Sequence, residues 1–393
     1  MTSSAVADFR AAQYPDLDAV FLNSASYGLF ARETVEAITS LTRRRARPLG
    51  VPDAEPGAAL RRARNAAAAL LAVDAREITL APNTSYGINL AAALVRAGPR
   101  GRVVVSAGEF PANVLPWLPL EAEGFEVEVV PMRDGLPDEA ALLEATSRPG
   151  TRALSISAVQ FATGFRADLE AFGRACRDSG ALFVVDAIQA LGVVPLSPRE
   201  LGIDVVATGG QKWLCAPWGS GFAWVAPRHH EKLQPPMVSW LAVEGGAAFS
   251  AQHGYHLDYL SDGRRYELAT LGVQDYLGLA QSLELLMELG VPAIRNHLLD
   301  LHEPVFSWAD SRDDVRIVTP RAPDRRAGIL SLELPDAPGA CRALEREGMR
   351  PAVREGLLRL APHVYVSRAD MARVVGVLDR TLGPNASKAT TAG

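Results

Sequence analysis

From about residue 75 to residue 225 the chain alternates short apolar or β-branched runs with segments of helix length, and this alternation constrains the fold more than any other feature. Arg102–Ser106, Val127–Val130, Ala153–Ser157, Leu182–Val185, Val205–Ala207 and Gly221–Val225 read as strands, the wholly apolar ones being buried on both faces. Between them Thr84–Arg96, Glu139–Thr146, Leu169–Ser179 and Pro198–Leu201 fit helices or helical turns. Parallel strands need crossovers of this kind, so the expected fold is α/β with helices covering a mostly parallel sheet. Thr34–Arg47 and the alanine-rich Ala58–Leu71 are further helices, and Arg43, Arg44 and Arg45 form a solvated face.

Residues 226–262 turn to Pro, Gly and His with little periodicity, which suits an irregular excursion or lid. A long helix, Val273–Met287, continues into Val291–Trp308 and bridges to a smaller α/β domain built from Ala327–Leu332, Pro338–Glu347, Leu357–Leu360 and Asp370–Leu382. The expected division is an N-terminal segment 1–19, a large domain 20–262, a small domain 263–384 that includes the bridging helix, and a disordered tail 385–393.

Forty basic residues stand against 45 acidic ones, a formal charge of −5, so the balance does not favour a nucleic-acid partner. No run of eighteen apolar residues occurs, and Met1–Asp18, with Asp8 and Asp16, lacks the apolar stretch of a signal peptide. A cytoplasmic protein without a membrane partner is expected. Cys176, Cys215 and Cys341 are far apart and odd in number, so they suggest neither a disulfide framework nor a CxxC site. His253 and His256 lack a third ligand; a lid or interface role suits them better than a metal, and no metal site is expected.

Lysine is scarce: Lys212, Lys232 and Lys388 are the three in the chain. Lys232 and Lys388 sit in charged or polar surroundings, whereas Lys212 lies between Gly209-Gly210-Gln211 and Trp213-Leu214, where a long cation needs a chemical task or a partner. Asp186 ends the strand Leu182–Val185, and a carboxylate at the C-terminal end of a buried strand points into the crevice where open α/β sheets bind ligands. Successive strand ends thus bring an acid and an amine to one rim. A carboxylate opposite a ring nitrogen keeps that nitrogen protonated, and an amine of depressed pKa attacks an aldehyde, which is the minimum a pyridoxal phosphate (PLP) site needs. A phosphate needs donors at a helix N-terminus, and Thr84 and Ser85 open such a helix, able to cap it or to offer hydroxyls. Phe110, in the loop after Arg102–Ser106, suits either ring stacking or core packing.

With these residues in view, the chain resembles the class V aminotransferase family of fold-type I PLP enzymes, which includes cysteine desulfurases, C–S lyases and isopenicillin N epimerase-like proteins. The markers stand in the family's order from Phe21-Leu22-Asn23-Ser24-Ala25-Ser26 through Asn83-Thr84-Ser85, Glu109-Phe110, Asp186-Ala187-Ile188-Gln189 and Gly210-Gln211-Lys212-Trp213 to Arg265–Thr270 and Leu358-Arg359-Leu360. The resemblance implies a seven-stranded, mostly parallel sheet in the large domain. It also implies that Lys212 carries PLP as an internal aldimine and shuttles the Cα proton, that Asp186 pairs with the pyridine nitrogen, and that Gln189 meets the phenolic oxygen. By the same likeness Phe110 stacks on the ring, Thr84, Ser85 and Gln211 hold the phosphate, and Thr270 reaches a phosphate in the neighbouring subunit of a homodimer. Arg359 matches the clamp for a substrate α-carboxylate, with Ser24 and Ser26 beside it, so an amino-acid substrate reacting at Cα through an external aldimine is implied. Amino transfer is the first expectation, with β-elimination of a cysteine conjugate, epimerisation and decarboxylation-coupled deamination as alternatives.

The chain also departs from the pattern. Arg350–Leu357, where desulfurases carry a nucleophilic thiol, has no cysteine, which disfavours persulfide chemistry. Gly209 stands where relatives often have serine, so one phosphate donor is either missing or replaced by Thr208. Arg264 and Arg265 suit either a second acidic substrate group or structural ion pairs, and Trp218 and Trp240 suit the pocket wall or plain packing.

Overall fold

A computed structural model describes residues 3–246 and 255–384, with side chains from residue 5 onward. His253, Lys388 and the expected tail 385–393 lie outside the described residues. Seven strands form the central sheet: β1 Ile78–Leu80, β2 Arg102–Ser106, β3 Glu126–Val130, β4 Thr151–Ser157, β5 Leu182–Asp186, β6 Val205–Gly209 and β7 Gly221–Val225. Their order is β1-β7-β6-β5-β4-β2-β3. Strands β3, β2, β4, β5 and β6 run parallel, whereas β7 is antiparallel to both β6 and β1. The fold is therefore α/β with a mostly parallel sheet, as the alternation requires.

The inner strands are buried along nearly their whole length: β7 and β6 are buried at every position, and Val103, Val104, Val105, Phe183, Val184 and Val185 are fully inaccessible. Each such side chain contributes about 1.5–3 kcal/mol through loss of water contact. Helices α1 Ser3–Gln13, α2 Arg32–Arg45, α3 Ala54–Leu71, α4 Thr84–Arg96, α5 Glu139–Ser147 and α6 Leu169–Ser179 accompany the sheet. A Cβ on Gly87 would lie 2.6 Å from Ala207 Cβ, so glycine lets α4 rest directly on β6. That contact fixes the start of α4 near the strand end that leads to Lys212.

The C-terminal part holds α7 Val273–Leu289, α8 Val291–Ala309, α9 Ala337–Arg346 and α10 Arg368–Leu382 around an antiparallel sheet. Its strands are β8 Arg316–Ile317, β9 Leu330–Glu333, β10 Ala352–Arg354 and β11 Leu357–Leu360, in the order β8-β9-β11-β10. Val20 and Phe21 pair in parallel with Met349 and Arg350, and Asn23 bridges Ala361, so the chain near residue 20 is attached to this C-terminal part. Helix α7 packs on α2 and α3, and one continuous apolar core runs from Leu71 and Phe183 through Tyr276 to Leu358. No single helix among the described residues is long and apolar enough to cross a membrane.

Candidate active site

The C-terminal ends of β5 and β6 face the β10–β11 hairpin across a pocket of about 340 Å³. Asp186, the last residue of β5, is buried, and its Oδ1 accepts the Ile188 N–H at 2.9 Å. Burial pushes its carboxyl up to about 6, against the opposing pull of that N–H and of Lys212. Lys212 follows β6 into the pocket, where burial lowers its amine to about 8 despite the nearby Asp186, and Arg359 and Arg354 lower it further. Its Nζ lies 5.5 Å from the centre of the Phe110 ring, and Phe110 in turn meets Phe161 edge-on at 5.4 Å.

The lysine loop is tied to two other segments. Gly28 N–H donates to the Gln211 carbonyl at 2.8 Å, and a Cβ on Gly28 would fall 2.3 Å from the Lys212 carbonyl oxygen, so only glycine allows this approach. Trp213, fully buried, donates its indole N–H to Gln189 Oε1 at 2.6 Å, while Gln189 Nε2 donates to the Ala25 carbonyl at 3.0 Å. An indole nitrogen can only donate, which sets the orientation of the Gln189 amide and leaves its second N–H for the pocket that it lines.

At the start of α4, Asn83 caps the helix by accepting the Tyr86 N–H at 3.0 Å. The cap expected of Thr84 or Ser85 is thus taken by the residue before them, because an extended Asn83 places its carbonyl oxygen over the first turn. Both hydroxyls are left for the pocket: Ser85 is exposed, and Thr84 Oγ1 is buried without a hydrogen-bond partner.

Arg359 on β11 is 1% exposed, yet no carboxylate pairs with it among the described residues. It donates to the Phe161 carbonyl at 2.8 Å, to Asn23 Oδ1 at 3.1 Å and to Ser26 Oγ at 2.9 Å, while its Nε has no partner. Burial, and then the neighbouring Arg354, pull its guanidinium down to about 9. Holding a cation out of water without a counter-charge costs several kcal/mol unless an anion completes the site.

Ser24 is not brought into the pocket. Asn23 faces Arg359, the chain then turns with the Ser26 N–H on the Asn23 carbonyl at 2.9 Å, and Ser24 Oγ bonds Tyr365 Oη at 2.6 Å in the core. Thr270 is exposed and lies away from this pocket. Trp218 and Trp240 are exposed surface residues and do not line it. Arg264 forms an ion pair with Asp262 at 2.7 Å, whereas buried Arg265 lies over Tyr259 and Tyr266 instead. The sequence reading gave no role to Phe161, Arg354 or Glu109. Arg354 lines the pocket from β10. Glu109 is buried, accepts the Ser157 N–H at 2.7 Å and the Ser157 hydroxyl, and is raised to about 7, chiefly by burial and further by Asp186. Its position just past the end of β2 is the signal that singled out Asp186.

The sequence model of the Aminotransferase class-V family matches residues 30–356. The chain belongs to that family. Across 399 residues it is 29% identical to an isopenicillin N epimerase of Streptomyces clavuligerus, covering 96% of this chain and 100% of the relative. A probable cysteine desulfurase of Methanothermobacter thermautotrophicus is 29% identical over 276 residues, 70% of this chain and 67% of that protein. Among solved structures, an apo cysteine desulfurase from Thermococcus onnurineus NA1 superposes with a TM-score of 0.85 at 22% identity, covering 96% of this chain and 98% of that one. The cystine C–S lyase C-DES with its product cysteine persulfide gives a TM-score of 0.83 at 22% identity, covering 95% and 100%. At these identities the solved structures establish the fold alone.

Membership in the class-V family makes the protein an enzyme, a transferase or lyase, with PLP as its cofactor. The pocket fits that group on its own chemistry. Thr84 Oγ1 is an orphaned donor at a helix start, Lys212 is an amine of lowered pKa, Asp186 is a strand-end carboxyl beside it, and the volume suits a small aromatic ligand.

Proposed function

We propose that the protein is a cytoplasmic homodimer acting on the Cα of an amino acid, with amino transfer as its reaction. The observation that carries this reading is buried, acid-free Arg359 in the same pocket as the Lys212–Asp186 pair. Thr84, Ser85 and Gln211 would hold the phosphate, Asp186 the ring nitrogen, Gln189 the phenolic oxygen and Phe110 the ring face. Thr270, exposed and outside its own chain's pocket, suits a contact to the phosphate in the partner subunit. When bound, PLP supplies an electron sink for the pair left behind as a bond at Cα breaks.

The chain's own residues then decide the outcome. Arg359 binds the α-carboxylate through its open Nε and sets which Cα bond breaks. Lys212 Nζ, neutral above about pH 8, takes the Cα proton and returns it to a neighbouring atom. Phe110 carries no proton, so it offers no acid or base against the ring; this supports reactions that need the single base Lys212, amino transfer foremost. The hairpin turn Glu355–Gly356 holds no thiol, and Cys176 and Cys215 are buried with raised pKa, which argues against persulfide transfer. Elimination from a cysteine conjugate is the second reading, supported by the likeness of fold to the C–S lyase.

Borohydride should fix PLP covalently to the purified protein. Incubation with an amino-acid panel should then yield a 2-oxo acid and an aminated cofactor. Pyruvate with free thiol would instead assign elimination, and solvent deuterium at an inverted Cα would assign epimerisation and overturn amino transfer.

A further inference from the structure

The hairpin that carries Arg359 brings a second cation to the pocket. Arg354 ends β10, the turn Glu355–Gly356 follows with positive φ at both residues, and Arg359 lies on β11 opposite Ala352. The two guanidiniums meet at one hydroxyl, with Arg354 Nη2 3.2 Å and Arg359 Nη2 2.9 Å from Ser26 Oγ. Arg354 otherwise donates only to the carbonyl of its neighbour Val353, at 2.8 Å. Neither arginine is in an ion pair among the described residues. Like charges gathered on a neutral group repel each other, so two cations ask for more negative charge than Arg359's carboxylate ligand supplies.

Arg354 also belongs to the wall of an adjoining cavity of about 420 Å³. Arg342 and Arg350 line that cavity too, against the lone acid Glu345, and neither is ion-paired among the described residues. A ligand reaching from Lys212 past Ser26 therefore enters a region of rising positive potential.

We propose that the substrate is an amino acid whose side chain ends in an acidic group, held by Arg354 while Arg359 holds the α-carboxylate. The proposal rests on the reading of Arg359 as the α-carboxylate clamp and names the substrate class of that same site. An acid with an open pair of oxygens meets the forked donors of Arg354, whereas the corresponding amide presents one acceptor and no charge.

The test uses PLP-loaded enzyme and matched acid–amide pairs: glutamate and glutamine, S-carboxymethylcysteine and its amide, and glutarate and its half-amide as a pair that cannot react. Binding is read by calorimetry and, for the amino acids, by change in the cofactor's visible band. Each acid should bind more tightly than its amide by on the order of tenfold to a hundredfold. Arg354→Gln should bring the acid down to the level of the amide, and Arg354→Lys should keep part of the preference. Equal affinity within the pairs, no binding by any acid, or equal weakening of acid and amide in Arg354→Gln would each overturn the proposal. The clamp reading is judged separately in the same titrations, since Arg359→Gln should weaken acid and amide alike. Absence of that loss sinks the clamp whatever Arg354 does.

Discussion

On the sheet side of the pocket a carboxyl and an amine face each other, both shifted toward their neutral forms by burial; on the hairpin side two guanidiniums converge on a serine, and among the described residues no acid pairs with either. The first wall can hold its groups without a ligand, because a buried acid near an amine can neutralise by moving one proton. The second cannot, since a guanidinium keeps its charge, and its free energy falls only when an anion arrives. Under the proposed function the walls have different tasks: one would hold and protonate the cofactor, the other would recognise a substrate by charge.

The largest effect expected from breaking this division lies on the sheet side. Lys212→Ala should lose borohydride-fixable cofactor, and turnover should fall by on the order of a thousandfold or more, because in the proposed function covalent attachment and proton transfer share that amine. A fixable visible band in the variant would show that another amine does the work. On the hairpin side, Arg359→Gln should raise the substrate KM by roughly tenfold to a hundredfold while PLP affinity, measured by titrating apoenzyme, changes far less. Comparable losses of both would erase the distinction between the walls.

A smaller effect measures the coupling between them. The apoenzyme should capture PLP faster as pH rises through about 8, where Lys212 becomes neutral. Removing a neighbouring cation favours the protonated amine, so in Arg354→Gln and Arg359→Gln the midpoint of that profile should move to higher pH; stopped-flow absorbance reads it. An unmoved midpoint in both variants would mean that the walls are electrostatically independent.

The smallest effect concerns stability of the apoenzyme. Glu109 has its folded pKa raised from 4.5 to about 7, so its contribution is fully present below about 4.5 and is lost as pH rises through about 7. Glu109→Gln, which keeps a neutral side chain beside Ser157, should flatten the fall in Tm across that window, as read by thermal melts. A wild-type Tm that stays level over the same range would remove the basis for that expectation.

The parts of the site that follow strand ends were legible in the sequence. Asp186 and Lys212 each follow a short apolar run that the residue pattern locates, whereas the part given to Arg359 came from the family resemblance. Strand β1 was missed because three residues are too few to show a period, and the antiparallel turn of β7 lies in the connections rather than in the strand itself. Arg354 was hidden because its significance comes from Ser26, more than 300 residues away, on which it and Arg359 converge, a meeting that no local pattern encodes. Ser24 was misplaced because it opens a turn, closed by the Ser26 N–H on the Asn23 carbonyl, in which Asn23 and Ser26 meet the arginine while Ser24 reaches Tyr365. The helix cap fell to Asn83 rather than Thr84 because a cap is decided by one backbone dihedral, which composition does not reveal.

Trp213 sits next to the reactive lysine, shielded from solvent and bonded to Gln189. The indole is thus a core fluorophore of fixed orientation one residue from Lys212, stacked on His363 at 5.7 Å, and an absorbing heterocycle held by that lysine lies within energy-transfer reach of it. With six tryptophans in the chain, the share of the emission change on loading that belongs to this indole is the share lost in Trp213→Phe.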